Sequence, residues 1–284
     1  MQFELGMLGR WTPGRSMTVG REDILTYARA TNDGTAIAQG GGIAPPVFAI
    51  VPVWVVLQEA ARSVAPDKAR PRVVHGDQDI RIAAPIRSGM TLRSRAAPIG
   101  VQVKESGTTV VLRTETRDQD DRLLNEQYVT EFYRGVTGGT GGGEEAPDHR
   151  MPTEVAESEP DGEISYRVDE DQTFRYAEAS GDDNAFHLDE DVARAAGFPG
   201  IIVHGMCLMA FAGRAALESQ GQEDLATVRR LAVRFSRPIL PGATLTTRVH
   251  KLDGDAVAFD AVDGEGAVVL KDGLLELGEL GPSR

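Results

Sequence analysis

The stretch Gly181-Asp182-Asp183-Asn184-Ala185-Phe186-His187-Leu188-Asp189 carries the densest set of chemically capable side chains in the sequence. Asp182 and His187 stand five apart in a segment that Gly181 lets turn tightly and that Asp189 closes by capping a following helix. Such a loop folds both side chains onto one water. A carboxylate and an imidazole sharing a water can take its proton and return one to a neighbouring carbon, which is general acid–base work. The same residues allow plainer readings. Asp182 and Asn184 are good turn formers and His187 can act as a cap, while Asp182, Asp183, His187 and Asp189 make a permissive metal set with a single imidazole. Further on, Gly205 opens an apolar helix whose first N–H groups lack intrahelical partners and can hold an oxyanion developing on a carbonyl; a glycine there equally eases helix packing. His204 and Cys207, three apart, raise a thiol-nucleophile reading, against which a lone cysteine among apolar neighbours is usually core.

The elements that must position these residues can be read coarsely. Asp189 to Ala196 forms a short helix stopped by Gly197, and Ile201 to Ser219 is apolar on almost every face, which marks a buried helix. Val228 to Phe235, Ala243 to Lys251, Ala256 to Val262 and Ala267 to Leu275 alternate or run apolar between Pro- and Gly-containing turns, the pattern of antiparallel strands. An earlier stretch repeats the order: a buried helix over Val47 to Arg62, then strands near Val73 to Ile82, Thr91 to Gln102, Thr108 to Thr116 and Leu123 to Phe132.

Direct matches support a duplication. Tyr27-Ala28-Arg29-Ala30-Thr31-Asn32-Asp33 lines up with Tyr176-Ala177-Glu178-Ala179-Ser180-Gly181-Asp182 at a separation of 149, and Ile80-Arg81-Ile82 with Pro85, Gly89 and Leu92 lines up with Val233-Arg234-Phe235 with Pro238, Gly242 and Leu245 at 153. The organisation is therefore an N-terminal unit over 1–134, a Gly-, Pro- and acid-rich segment over 135–162 that reads as a flexible linker, and a C-terminal unit over 163–284. Each unit is a central helix wrapped by an antiparallel sheet, an α+β arrangement. In the linker Gly141, Gly143 and Ala146 fit a loose dinucleotide-loop pattern, but Pro147 prevents the helix that pattern requires.

Composition bounds the partners. With 30 Lys and Arg against 43 Asp and Glu, the chain of 284 residues carries −13, which excludes general nucleic-acid or anionic-membrane binding. The longest apolar stretch, Ala44 to Leu57, is interrupted by three prolines and falls short of the ~20 residues a membrane span needs. The opening MQFELGMLGR lacks the order of features of a secretory signal, and the single Cys207 cannot form an internal disulfide; both lead to the expectation of a cytoplasmic protein.

Tyr176-x-x-x-Ser180-Gly181-Asp182-x-Asn184-x-x-His187, followed by Ala195-x-Gly197-Phe198 and Val203-His204-Gly205, closely resembles the hydratase 2 signature of the MaoC-like (R)-specific enoyl-CoA hydratases. The N-terminal unit is similar to the first half of double-hotdog members, notably in Ala44-Pro45-Pro46-Val47-Phe48-Ala49 and Val74-His75-Gly76-Asp77-Gln78. The resemblance implies a double hotdog that adds water to a trans-2-enoyl-CoA to give an (R)-3-hydroxyacyl-CoA, or runs the reverse dehydration. It makes Asp182 and His187 the water-activating pair, Asn184 a residue that orients the pair or contacts the substrate, and Gly205 the N–H that grips the thioester oxygen. Gly181, His204, Arg234 and Arg237 are the expected substrate-binding residues, the two arginines either meeting the phosphates of coenzyme A or forming surface ion pairs. It implies no metal and no cofactor beyond the coenzyme A of the substrate, and it allows a homodimer. A hotdog thioesterase and a non-catalytic acyl-CoA-binding subunit are the alternatives. Ala185 and Phe186 depart from the family's usual Pro and Leu-like residue. In the first unit Asn32 replaces Gly181, Thr35 replaces Asn184 and Ala38 falls opposite His187, so that copy should be inactive. One site per chain is expected at the interface of the halves, with Ala36, Ala38, Gly40, Gly41 and Gly42 giving room for an acyl tunnel.

Overall fold

The alternating sequences become long antiparallel strands in a computed structural model that describes residues 1–278. The first half runs β1 (Arg15–Thr18), α1 (Arg21–Ala30), α2 (Gly34–Ala38), α3 (Trp54–Val64), β2 (Val73–Ile82), β3 (Thr91–Lys104), β4 (Gly107–Arg117) and β5 (Leu123–Arg134). A connecting segment carries the short β6 (Gly142–Gly143) and α4 (Thr153–Ala156). The second half follows with β7 (Gly162–Arg167), α5 (Gln172–Ser180), α6 (Glu190–Ala195), α7 (Gly205–Ser219), β8 (Val228–Phe235), β9 (Thr244–Lys251), β10 (Ala256–Val262) and β11 (Val268–Leu277).

All the strands join one antiparallel sheet in the order β1-β3-β4-β5-β2-β8-β11-β10-β9-β7, with β6 added beside β3. The order is symmetric about the β2–β8 pairing, which lies between two like sets of strands. The duplication shows at the level of single atoms. Tyr27 and Tyr176, matched by the repeat, meet hydroxyl to hydroxyl at 3.3 Å in the buried centre where α1 packs on α5.

Arginines stitch the junction. Arg230 of β8 makes two bonds of 2.9 Å to the carboxylate of Asp79 on β2, and Arg234 reaches Asp77 at 2.6 Å. Arg234 is thus spent on joining the two halves instead of lying in wait for a ligand.

The core helix of the first half departs from the single helix expected over Val47 to Arg62. Pro46–Val53 winds as a 3-10 helix before α3 takes over at Trp54. Pro52 lacks an N–H to donate to the preceding turn, so α-helical pairing is broken there. The carbonyl of Ala49 is satisfied from the sheet: Gln127 of β5 donates from Nε2 at 2.8 Å, while its Oε1 accepts from Gln78 at 2.9 Å. Gln127→Leu keeps the size and removes three bonds in the core. It should lower stability by about 1–3 kcal/mol, read as a shift of the urea midpoint with unchanged slope. The full helical run, Pro46–Val64, is long and apolar enough to cross a membrane by length and composition, but 61% of it is buried inside the fold, the place of a core helix.

The segment read as a flexible linker is strapped across both halves. Gly142 and Gly143 pair with Val101 and Gly100 of β3, and beyond them His149 Nδ1 lies 2.7 Å from the Asp272 carbonyl of β11. The fit is close: a Cβ on Gly100 would sit 1.8 Å from the Glu144 carbonyl oxygen. Glycine richness here marks backbone laid tightly on a sheet as much as freedom to move.

Candidate active site

The loop after α5 is built by local bonds. Gly181 ends that helix in the left-handed region at φ +78°, donating to Ala177 O at 2.9 Å, so its identity serves the turn. Asp182 then folds over Asn184, its Oδ1 accepting from Asn184 Nδ2 at 2.6 Å and from the Asn184 N–H at 3.3 Å. Asn184 adopts φ −56°, ψ 123°, the conformation that a following proline would demand, so Ala185 keeps the loop path without the ring. A 3-10 turn over Ala185–His187 delivers the imidazole, and the Asp189 carboxylate caps α6 through the N–H groups of Asp191 and Val192.

His187 is buried, with Nδ1 2.7 Å from the Ile202 carbonyl oxygen. A carbonyl only accepts, so Nδ1 carries the hydrogen and Nε2 keeps the lone pair. His204 stacks on it, ring centroids 3.7 Å apart and planes 23° from parallel, and donates from Nε2 to the backbone oxygen of Asp182 at 3.0 Å. Phe186 covers the other side of His187 at 4.3 Å. Burial pushes the Asp182 carboxyl up to about 6 against the two bonds from Asn184, and burial pulls His187 down to about 4. Burial, with His187 beside it, takes His204 down to about 3. At neutral pH the group is therefore one carboxylate and two neutral imidazoles.

One carboxylate oxygen of Asp182 and one ring nitrogen from each histidine lie within 4.8 Å of one another. A water donating two hydrogen bonds of about 2.8 Å spans roughly 4.5 Å between its acceptors, so one water can bridge the carboxylate and His187. A metal fits less well, since histidine lone pairs lie in the ring planes and must converge on an ion at about 2 Å. Two nearly parallel stacked rings do not converge.

These residues open on a cavity of about 360 Å³ lined from both halves. Asp182, Asn184, His187, Gly205 and Arg237 stand in its wall. Gly181 and His204 are not among the lining residues, and Arg234 is held at the β2–β8 junction. The small residues Ala36 to Gly42 do not shape the cavity; its first-half wall comes from α3, β2 and β5, with Trp54, Leu57, Gln58 and Ala61 presented by the helix. Sequence reasoning missed Arg62, Arg70 and Arg134, which join Arg237 around the cavity. Trp54, Gln58 and Arg62 recur at helical spacing, a signal that was legible. Cys207 is fully buried and its thiol is pushed far up by desolvation, which leaves no thiolate for nucleophilic chemistry.

Known proteins resemble both halves of the chain. Residues 152–273 match the model of the MaoC like domain, and residues 42–135 match that of the MFE-2 hydratase 2 N-terminal domain. The chain is 35% identical over 213 residues to the 3-hydroxyacyl-thioester dehydratase Y of Mycobacterium tuberculosis, covering 72% of each protein. The chain belongs to the MaoC-like hydratase 2 family. It is also 32% identical over 227 residues to the peroxisomal multifunctional enzyme type 2 of Drosophila melanogaster, of whose length it spans 38%. Among solved structures, the MaoC-like dehydratase of Phytophthora capsici superposes with a TM-score of 0.84 at 26% identity, over 96% of this chain and 98% of that one. A Mycobacterium tuberculosis protein described as a double hotdog superposes at 0.60 and 16% identity over 94% of each chain, which supports the fold.

In this MaoC-like double hotdog the first copy of the loop has closed up. Asn32 takes the left-handed place of Gly181 at φ +52°, and Asp33 caps α2 through the Ala36 N–H at 2.9 Å. Arg214 of α7 donates to the backbone oxygens of Thr31 and Asn32 while stacking 3.8 Å from the Tyr166 ring. The space lined by Asp33, Thr35 and Arg214 is about 30 Å³. Without an imidazole at Ala38 and without room for an acyl group, this loop has become structural.

Proposed function

We propose that the chain hydrates trans-2-enoyl-CoA thioesters to (R)-3-hydroxyacyl-CoA, or catalyses the reverse dehydration, through Asp182 and His187. The reading rests on one observation above all: a carboxylate oxygen of Asp182 and a ring nitrogen of His187 lie within 4.8 Å of each other on a cavity that is also lined by the first residue of α7. The water donates to Asp182 and to His187 Nε2. Its oxygen attacks C3, charge moves through the double bond to the thioester oxygen, and the Gly205 N–H at the positive end of α7 holds that charge. One member of the pair keeps the water's proton and a proton is returned to C2, so the step balances without a redox partner or a metal. Arg237, with Arg62, Arg70 and Arg134, supplies the cations that coenzyme A phosphates require in a chain of net charge −13. Names of similar proteins, among them the probable enoyl-CoA hydratase 2 of Dictyostelium discoideum at 25% identity, support this reading.

Purified protein should bleach the conjugated-thioester absorbance of crotonyl-CoA or of a longer enoyl-CoA, and His187→Ala should slow this by about a thousandfold, within the usual range for a lost acid–base group. Wild-type protein that bleaches no chain length, or an alanine variant with full activity, would overturn the assignment. Free thiol released from a saturated acyl-CoA would favour a thioesterase instead.

A further inference from the structure

The hydration chemistry uses the second-half wall of the cavity, and the wall facing it is not a plain hydrocarbon surface. Glu131 and Tyr133 lie two apart on β5 and so on one face of the sheet, and Glu131 is directly opposite His75 of β2. All three line the cavity, interleaved with Leu57, Ala61 and Val129. The Tyr133 hydroxyl donates to Glu131 Oε2 at 2.5 Å. Arg70 attracts Glu131 only through space and pairs with Asp67. His75 packs its ring 4.6 Å from that of Phe235, and its Nε2 is buried with no hydrogen-bond partner among the described residues.

A desolvated carboxyl and an orphaned imidazole nitrogen each cost the fold stability, and buried polar groups without partners are rare. Burial raises Glu131 to about 7, against the Tyr133 bond and the pull of Arg70. Both residues lie on paired strands and line one cavity, so a ligand group that donates to Glu131 and accepts from His75 can satisfy the two together. A hydroxyl does this when His75 carries its hydrogen on Nε2, since the one hydroxyl hydrogen goes to the carboxylate and the oxygen accepts from the imidazole. The phosphates of coenzyme A are repelled by a carboxylate, and an alkyl chain would leave His75 Nε2 unpaired and Glu131 with the Tyr133 hydroxyl alone.

We propose that Glu131, Tyr133 and His75 bind a hydroxyl carried on the acyl group, so that the preferred substrate is a hydroxylated enoyl thioester and not a plain hydrocarbon one. This rests on the hydratase reading for the reaction, but not for the binding. A second source of the same chemistry, the amides of the pantetheine arm, is separated by experiment.

The test is a panel of trans-2-enoyl-CoA pairs of matched chain length, with and without a hydroxyl on the distal carbons, given to the full chain. Wild type should favour the hydroxylated member of the best pair by on the order of 10- to 100-fold in kcat/KM, the range of a hydrogen bond to a charged group. Glu131→Leu should bring that ratio to within about twofold. Tyr133→Phe, which keeps the ring packed 5.3 Å from Phe3 and removes only the hydroxyl, should also reduce it and serves if the leucine variant does not fold. A wild type without preference in any pair, or a preference that survives in both variants, overturns the subsite. A variant that weakens both members equally, and weakens free coenzyme A as well, assigns the groups to pantetheine and also overturns it. If no pair is turned over, the hydratase reading fails on its own, and the ratio of dissociation constants for the same pairs decides the subsite.

Discussion

Asp182→Asn should lower kcat/KM on enoyl-CoA by about a thousandfold and at the same time raise the melting temperature at neutral pH. The two effects have one cause. Burial holds the Asp182 carboxyl at about 6 in the fold, against an ordinary value of 3.8, so folding favours the protonated form. Stability from this group is complete below the ordinary value and is lost as pH rises through about 6. At neutral pH the folded protein therefore carries a carboxylate that water would hold better, and a neutral amide of the same shape relieves that cost. The advantage of the variant should grow between pH 4 and neutral pH and be smallest at the acid end, where wild-type Asp182 is protonated. A side chain kept only for the turn with Asn184 would lose stability on substitution, and would lose it at every pH. The same shift fixes the wild-type pH profile. Activity that needs the carboxylate should fall below pH 6, well above the ordinary range of an aspartate, while His187 stays neutral down to about 4 and adds a second proton only there. A single acid limb near 6 that steepens near 4 is the expected trace of kcat/KM.

What was legible in the sequence followed from local rules. The runs Val73 to Ile82, Val228 to Phe235 and Ala256 to Val262, alternating or apolar between turn residues, match the observed strand ends because turn residues mark where a strand stops. The loop proposed to activate water was legible because its bonds span only a few residues, from the Gly181 turn to the Asp189 cap. Long-range pairing was not. Arg234 has the residue type of a phosphate ligand, and only the register of β8 on β2 reveals Asp77 opposite it. The prolines near Val47 were visible, but the 3-10 winding they impose needed Gln127, some eighty residues on, to become tolerable. The small residues after Asp33 were expected to leave room for the acyl group, whereas Asp33 and Thr35 line a separate small space beside Arg214. The cavity wall came instead from α3, β2 and β5, whose contribution depends on how one sheet is continued into the next.

Gly205→Ala should cut kcat by about 10- to 100-fold, with a much smaller change in KM. A Cβ at this position would lie 3.0 and 3.1 Å from Cε1 and Cδ1 of Phe235, tighter than ordinary contact, so either the ring or the start of α7 must move by a few tenths of an ångström. The ring has little freedom, because Phe235 is packed against His75 on its other flank. The start of the helix is then what shifts, and with it the N–H proposed to meet the thioester oxygen. That bond strengthens as charge develops on the oxygen, so misplacing it penalises the transition state more than the bound substrate, which is why kcat carries the loss. The steric origin can be isolated. Phe235→Leu removes the atoms that the new methyl group would meet, and in the double variant the N–H should return towards its place and recover most of the lost kcat, so that the two substitutions are strongly non-additive. If the double variant is instead as slow as the product of the two single losses, the glycine acts through something other than this contact, and the donor must be sought elsewhere along the first turn of α7.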